Sequence, residues 1–257
     1  KHAIYLQKKQ ECENMEQLRI FGELLTANLY RISRGSKMIA VENYYDPDCK
    51  TIDIPIDNTI SPQANAQRYF KQYAKLKTAS HMLNDQISNN EAEIKYLESL
   101  LLNIDNCTDL MQLEELKQEL VQQGYIRPPK KAVSVTPSSP MQFVSQSGIE
   151  ILIGRNNLQN DQLTLKTASK DDLWLHIKDA AGSHVIVRSA SPDPNTIEFA
   201  AKLAAYFSKS KQASKVAVDA TKVRFVKKPR GAKPGMVIYE NQTTYFVSPT
   251  DININKI

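Results

Sequence analysis

The sequence predicts an α+β protein: an antiparallel α-helical coiled-coil hairpin followed by a compact α+β domain with a mostly antiparallel sheet. Three observations predict it. Apolar residues recur at alternating steps of four and three through much of the first half. Short runs with β-strand alternation fill the second half, interrupted by one helical pattern. Between them lie Arg127-Pro128-Pro129-Lys130-Lys131 and Pro137-Ser138-Ser139-Pro140, whose prolines interrupt regular structure. The expected division is a coiled-coil region over 1–126, carrying a small β-hairpin at 38–56, a linker over 127–140 and the α+β domain over 141–257.

Each element has its own signal. From Ile4 the four-three walk passes Lys8, Glu11, Met15, Leu18, Gly22, Leu25, Leu29 and Ile32, a row that is weak at first and strong from Met15 onward. Met38–Tyr45 and Thr51–Ile56 flank Asp46-Pro47-Asp48, two short strands around a turn. Ser61-Pro62 starts the second long helix with a capping hydroxyl and a proline in the first turn. Its row runs Tyr69, Tyr73, Leu76, Ser80, Leu83, Ile87, Asn90, Ile94, Leu97, Leu101 and Ile104, a seam for another helix with Asn90 fixing register. A third helix, about Asp109 to Gln123, is capped by Thr108 and stopped by Gly124. In the second half, Ile149–Gly154, Leu163–Thr167, Asp172–Ile177 and His184–Arg188 read as strands. A helix over Asn195–Lys209 follows, then strands Lys215–Asp219, Met236–Glu240 and Thr244–Val247. The helix presents Ile197, Ala200, Ala201, Ala204 and Phe207 as one apolar face.

At 257 residues and 41% hydrophobic there is chain for two ordinary domains. No apolar stretch approaches the ~20 residues of a membrane span, and no hydrophobic signal opens the chain, so no membrane insertion is expected. Cys12, Cys49 and Cys107 lie far apart, which fits reduced thiols and a cytoplasmic setting. The chain begins inside a helical pattern without an initiator Met, so a missing N-terminal portion is expected. Charge is unevenly spread. Residues 1–140 carry 17 basic and 18 acidic residues, whereas 141–257 carry 16 and 10. Nine Lys or Arg fall between Lys209 and Lys233 against the single acid Asp219. Such a run beside Tyr206 and Phe225 suits phosphate backbones and unstacked bases; its plain alternative is a solvated basic surface.

The polar residues of the second half sharpen this. Asp172, Trp174 and His176 alternate with Leu173, Leu175 and Ile177, so a strand there has one apolar face and one polar, aromatic face. A recognition face requires Trp174 to be partly exposed near His184 and the Gly182-Ser183 turn, while the other reading makes Trp174 core. His176 and His184, with Asp172 and Asp179, match no zinc spacing and have no cysteine nearby, so no metal is expected. Gly182-Ser183-His184 lacks the context of a nucleophile elbow, and Gly231 and Gly235 lack the ending of a phosphate-binding loop. The chain reads as non-enzymatic, with no catalytic residue and no cofactor.

Gly154-Arg155-Asn156-Asn157-Leu158-Gln159-Asn160-Asp161, Asp172-Leu173-Trp174-Leu175-His176, Gly182-Ser183-His184-Val185, Lys227-Lys228 and Gly231-Ala232-Lys233-Pro234-Gly235 together resemble the NFACT-R domain. Gly22-Glu23-Leu24-Leu25-Thr26-Ala27-Asn28-Leu29-Tyr30, Asn43-Tyr44-Tyr45-Asp46 and Asn65-Ala66-Gln67-Arg68-Tyr69-Phe70 resemble the coiled-coil middle region of the same NFACT family. The resemblance implies binding to the large ribosomal subunit bearing a stalled nascent chain, and recruitment of tRNA for alanine tailing without a template. It also implies a rival: relatives described as fibronectin-binding adhesins linked to virulence, at the cell surface without a signal peptide. The Asp-Arg pair with which the family handles tRNA belongs to its N-terminal domain and maps onto no residue of this chain. The candidate RNA-binding residues are Arg155, Asn156, Asn157, Asp172, Trp174, His176, Ser183, His184, Lys227, Lys228, Arg230 and Lys233.

Overall fold

The computed structural model describes residues 2–33, 35–129 and 138–251; Lys130 to Pro137 of the expected linker lie outside them. The chain forms two compact units, Lys1–Ala92 and Glu93–Ile257. That division falls within a 44-residue helix.

The first unit contains α1 (His2–Glu11), α2 (Met15–Ala27), strands β1 (Met38–Glu42) and β2 (Thr51–Pro55), and most of α3 (Pro62–Asp105). The helix expected to run unbroken from Ile4 to Ile32 is interrupted after Glu11 by turn hydrogen bonds at Cys12 and Glu13. The apolar row there is too weak to hold continuous helix against a neighbour, and α1 buries little. From Met15 onward the row holds, and Leu24 and Leu25 are fully buried with Val41, Ile54, Ile56 and Ala66. The β1–β2 hairpin forms where the turn residues place it, with Val41 opposite Ile52. Ser61 Oγ accepts from the Ala64 amide at 3.1 Å, the expected cap. Leu83 and Ile87, on the predicted seam, are buried.

In the second unit the predicted row fails. Ile94, Leu97, Leu101 and Ile104 are exposed, and Tyr96 and Leu100 are buried instead, against Leu116 of α4 (Leu110–Gln122). A straight helix drifts ~20° per heptad from a four-three row, so a row extended this far leaves the face a neighbour covers. The cap of α4 also differs from expectation: Asp109, not Thr108, accepts from the Gln112 amide, at 2.9 Å. Its end at Gly124, with φ +78°, is as read from the sequence.

The rest is an antiparallel sheet with one long helix. The order along the chain is β3 (Met141–Val144), β4 (Glu150–Ile153), α5 (Asn157–Gln162), β5 (Leu173–Ile177), β6 (Val185–Val187), α6 (Pro194–Tyr206), β7 (Val216–Lys222), β8 (Val226–Lys227), β9 (Ile238–Tyr239) and β10 (Thr243–Val247). Six strands pair in the order β10-β7-β5-β6-β4-β3, each pair antiparallel, while β8 and β9 make a separate hairpin. One face packs Ile151, Leu175, Ile177, Val185 and Val218 against Ala200, Ala201 and Ala204 of α6. Asp193 caps α6, accepting from the Thr196 amide at 3.0 Å, and its carboxyl is held down to about 2 by the Thr196 and Ser147 hydroxyls. The segment Leu163–Thr167, expected as a strand, is a π-helical turn closed by the Ala168 amide on the Leu163 carbonyl at 2.9 Å. Having no strand to pair with, this segment satisfies its backbone within itself. Strand β3 and helix α5 carry too few residues to have given a periodic signal.

Candidate nucleic-acid interface

Strand β5 alternates as predicted, and Leu175 and Ile177 face α6. The opposite face, however, is no surface. Trp174 is 0% exposed, enclosed by Leu152, Leu163, Ile186, Val223 and Val226, which overturns the expectation of a partly exposed indole. The cause is a second cover. The π-helical turn and the β8–β9 hairpin fold over this side of the sheet, with the Tyr239 ring 4.8 Å from the indole. Tyr239 donates to Asp219 at 2.8 Å, and the Thr221 hydroxyl donates to the Glu240 carbonyl at 2.9 Å, which ties the hairpin to β7.

His184 belongs to the same interior, and His176 lies half-buried beside it. His176 stacks on Trp174 with centroids 5.6 Å apart, and His184 meets the indole edge-on at 5.2 Å. His184 Nδ1 lies 2.8 Å from Thr164 Oγ1, and its amide donates to Asn160 Oδ1 at 3.0 Å. Burial pushes the pKa of both imidazoles down, His184 furthest, so both are neutral at neutral pH. Asp172 is buried, accepting from the Ser169 amide at 2.8 Å, and Ser183 is buried where its amide donates to the Phe207 carbonyl at 3.0 Å.

Asn156 and Asn157 are interior as well. Asn156 caps α5, accepting from the Gln159 amide at 2.8 Å, while its Nδ2 donates to Glu115 at 2.6 Å. Asn157 Nδ2 donates to Glu119 at 3.0 Å and to Ser99 at 2.9 Å, and Tyr96 donates to the same Glu119 oxygen at 2.7 Å. Two glycines make room for this arrangement. A Cβ on Gly154 would sit 2.1 Å from Asn160 Oδ1, and one on Gly235, where φ is +75°, would sit 2.7 Å from Asn157 Oδ1. Glu119 is 0% exposed, its second oxygen has no partner among the described residues, and burial pushes its pKa up against the opposing pull of Tyr96 and Asn157. Sequence reasoning missed Glu115 and Glu119. Their signal was a polar i, i+4 pair beside Leu116 on the buried face of an amphipathic helix.

The basic loop is folded back onto the protein. Lys228 pairs with Asp161, which also accepts from the Gly235 amide at 3.1 Å. Lys233 lies over the rings of Tyr96 and Tyr125, 5.2 and 4.9 Å from their centroids, with Glu93 at 3.7 Å. Lys227 reaches Glu240 at 3.3 Å, and Arg155 donates to the Ser139 carbonyl at 2.9 Å. Of the candidate residues, only Lys227 and Arg230 are exposed. A cavity of about 230 Å³ adjoins His176 and Tyr239, but Glu98 and Asp179 outnumber Lys95 in its lining, which does not suit a phosphate. Among the described residues no group of three or more His, Cys, Asp or Glu could hold a metal, and no helix is long and apolar enough to cross a membrane.

A helical region carrying a β-hairpin, followed by an α+β domain whose antiparallel sheet is covered on both faces, defines a multidomain α+β protein. Residues 1–136 match the model of the NFACT N-terminal and middle domains, and residues 140–241 match that of the NFACT protein RNA binding domain. The chain belongs to the NFACT family. It is 44% identical over 249 residues to a Bacillus subtilis protein named Rqc2 homolog RqcH, and 37% identical over 253 residues to the protein of that name from Streptococcus suis. These alignments cover 95% and 98% of this chain but 44% and 45% of the relatives, so the chain spans under half their length. A solved structure, the C-terminal part of the fibronectin/fibrinogen-binding protein from Streptococcus suis, superposes with a TM-score of 0.73 at 32% identity. The match covers 97% of this chain and 88% of that one.

Proposed function

We propose that this chain is the ribosome-holding part of a quality-control factor, binding the large ribosomal subunit and tRNA through RNA and supporting alanine tailing of stalled nascent chains. The observation that carries it is the tandem family match, with relatives named RqcH at 37–44% identity along nearly the whole chain. The positive balance of residues 141–257 fits an RNA partner, because releasing counterions from phosphates drives such association. The chain acts as a binding module without catalysis of its own, working in the cytoplasm. It is expected to co-sediment with large ribosomal subunits from cell extract and to dissociate as salt is raised. Recovery only in the ribosome-free fraction at low salt would sink this reading. The fibronectin reading has one supporting observation, the name of the solved Streptococcus suis neighbour. Immobilised fibronectin tests it directly, and it fails if the chain is not retained.

A further inference from the structure

The geometry points to a phosphate-contacting surface for duplex RNA on the α+β domain, formed by Lys166, Lys170, Arg188, Lys222 and Arg224 and lying outside the 227–233 loop. It rests on the RNA-binding reading above and specifies where, and in what form, RNA is met. Antiparallel pairing brings the start of β5, the end of β6 and the end of β7 to one edge, with Leu173 opposite both Val187 and Lys222. The turn 166–172 sits at that edge, and the cations gather round it. The Arg224 amide donates to the Lys170 carbonyl at 3.0 Å and its guanidinium pairs with Asp171. Lys222 lies 3.9 Å from the same carboxylate. Arg188 donates to the Thr167 carbonyl at 3.2 Å and stands 3.5 Å from Asp172. Lys166 and Lys170 are exposed on the turn itself, with no acidic partner among the described residues.

The charge balance separates this edge from the loop. Five cations here face two acids, and Asp172 is buried and already accepts from the Ser169 amide. Counting Glu150 as well, whose carbonyl accepts from the Arg188 amide at 3.0 Å, still leaves a net positive edge. In the loop, by contrast, four cations face three acids: Lys227, Lys228 and Lys233 pair with Glu240, Asp161 and Glu93, and Arg230 alone has no acidic partner among the described residues. An exposed excess of cations attracts phosphates, whereas lysines already paired gain little by exchanging one anion for another.

The form of RNA follows from what the edge lacks. Unpaired strands are held by aromatic platforms, while RNA helices are met through phosphates and sugars. The exposed large apolar residue on this side is Leu165, which is aliphatic. Among the described residues the exposed aromatics of the domain lie elsewhere: Phe246 pairs opposite Ala217 at the other end of β7, and Tyr206 ends α6, while Phe225, next to Arg224, is half-buried. With no fully exposed aromatic ring among its described residues, the edge fits the backbone of a paired stem.

The test titrates the 257-residue chain with a paired RNA hairpin and with an unpaired oligonucleotide of equal phosphate count, over a range of salt. The wild type is expected to bind the hairpin more tightly. Lys166→Glu with Lys170→Glu should lose on the order of tenfold in hairpin affinity and make the logarithmic salt slope shallower by about 2, close to one per phosphate contact removed. Lys227→Gln with Arg230→Gln in the loop should leave both unchanged, with thermal melts showing that every variant folds. The assignment is overturned if the loop pair weakens binding and the edge pair does not, or if the oligonucleotide binds as tightly as the hairpin. No binding of either RNA by the wild type would sink the RNA-binding reading itself, and this inference with it.

Discussion

Trp174 shows how one side chain can be placed on the correct strand and face and still be assigned the wrong environment. Alternation puts it opposite Leu175, as the structure confirms, yet alternation says nothing of what covers that face. Trp174→Ala should therefore cost roughly 3–5 kcal/mol of folding stability, as for other buried aromatic truncations, a loss that chemical denaturation would register. A variant as stable as wild type would mean the indole is not core. Glu119 carries a second residue-scale prediction. Because its pKa is raised in the fold, the native state keeps a proton that the unfolded chain sheds as pH rises above the ordinary 4.5, and stability falls through that window. Glu119→Gln keeps an oxygen for Tyr96 and Asn157 and removes the charge. The variant should melt close to wild type near pH 4 and above it at pH 7, each 1 kcal/mol being worth about 2–4 °C in a unit of this size. A variant less stable at pH 7 would show that the ionised carboxylate is wanted there. The sequence offers Glu115 and Glu119 only as a polar pair on a helix face, because their partners Asn156 and Asn157 are distant in sequence.

Among the elements, long and strongly periodic segments were legible and short ones were not. Helix α6, the second half of the first helical stretch and most sheet strands stand where periodicity puts them, because their apolar spacing is set by a core they alone can fill. The π-helical turn at Leu163–Thr167 imitates a strand in its alternation of apolar and polar residues, and only the absence of a neighbour to pair with decides otherwise. In α3 the row was correct as far as Ile87 and failed beyond it, where packing against α4 chooses Tyr96 and Leu100. Within the part that holds, Leu83→Asp or Ile87→Asp would bury a charge without a partner, at a cost of several kcal/mol. Circular dichroism should show helix lost at a lower temperature. An unaltered melt would mean that these two positions are not held in a packed seam.

For the whole molecule, charge distribution was the most informative quantity in the sequence and the least specific about place. The excess of cations in residues 141–257 is plain from counting, but a count cannot separate lysines that hold the protein together from those facing outward. The fold makes that separation. It assigns Lys228 and Lys233 to internal contacts with Asp161 and Tyr96, and it brings Arg188, remote from the basic run, to Thr167 of the turn whose Asp171 meets Lys222 and Arg224. A surface assembled from three strand ends and a turn has no contiguous sequence signature.

The complete burial of Trp174 has an optical consequence. It is the one tryptophan in the chain and lies in the unit spanning Glu93–Ile257, so indole fluorescence excited selectively reports that unit and is blind to the other. With the ring closed off from bulk solvent, folded protein should emit toward the short-wavelength end of the tryptophan range and resist quenching by iodide. Far-ultraviolet dichroism, weighted toward the helices, records both units together. Following both signals in a single titration turns one protein into two simultaneous reporters, without a label attached anywhere.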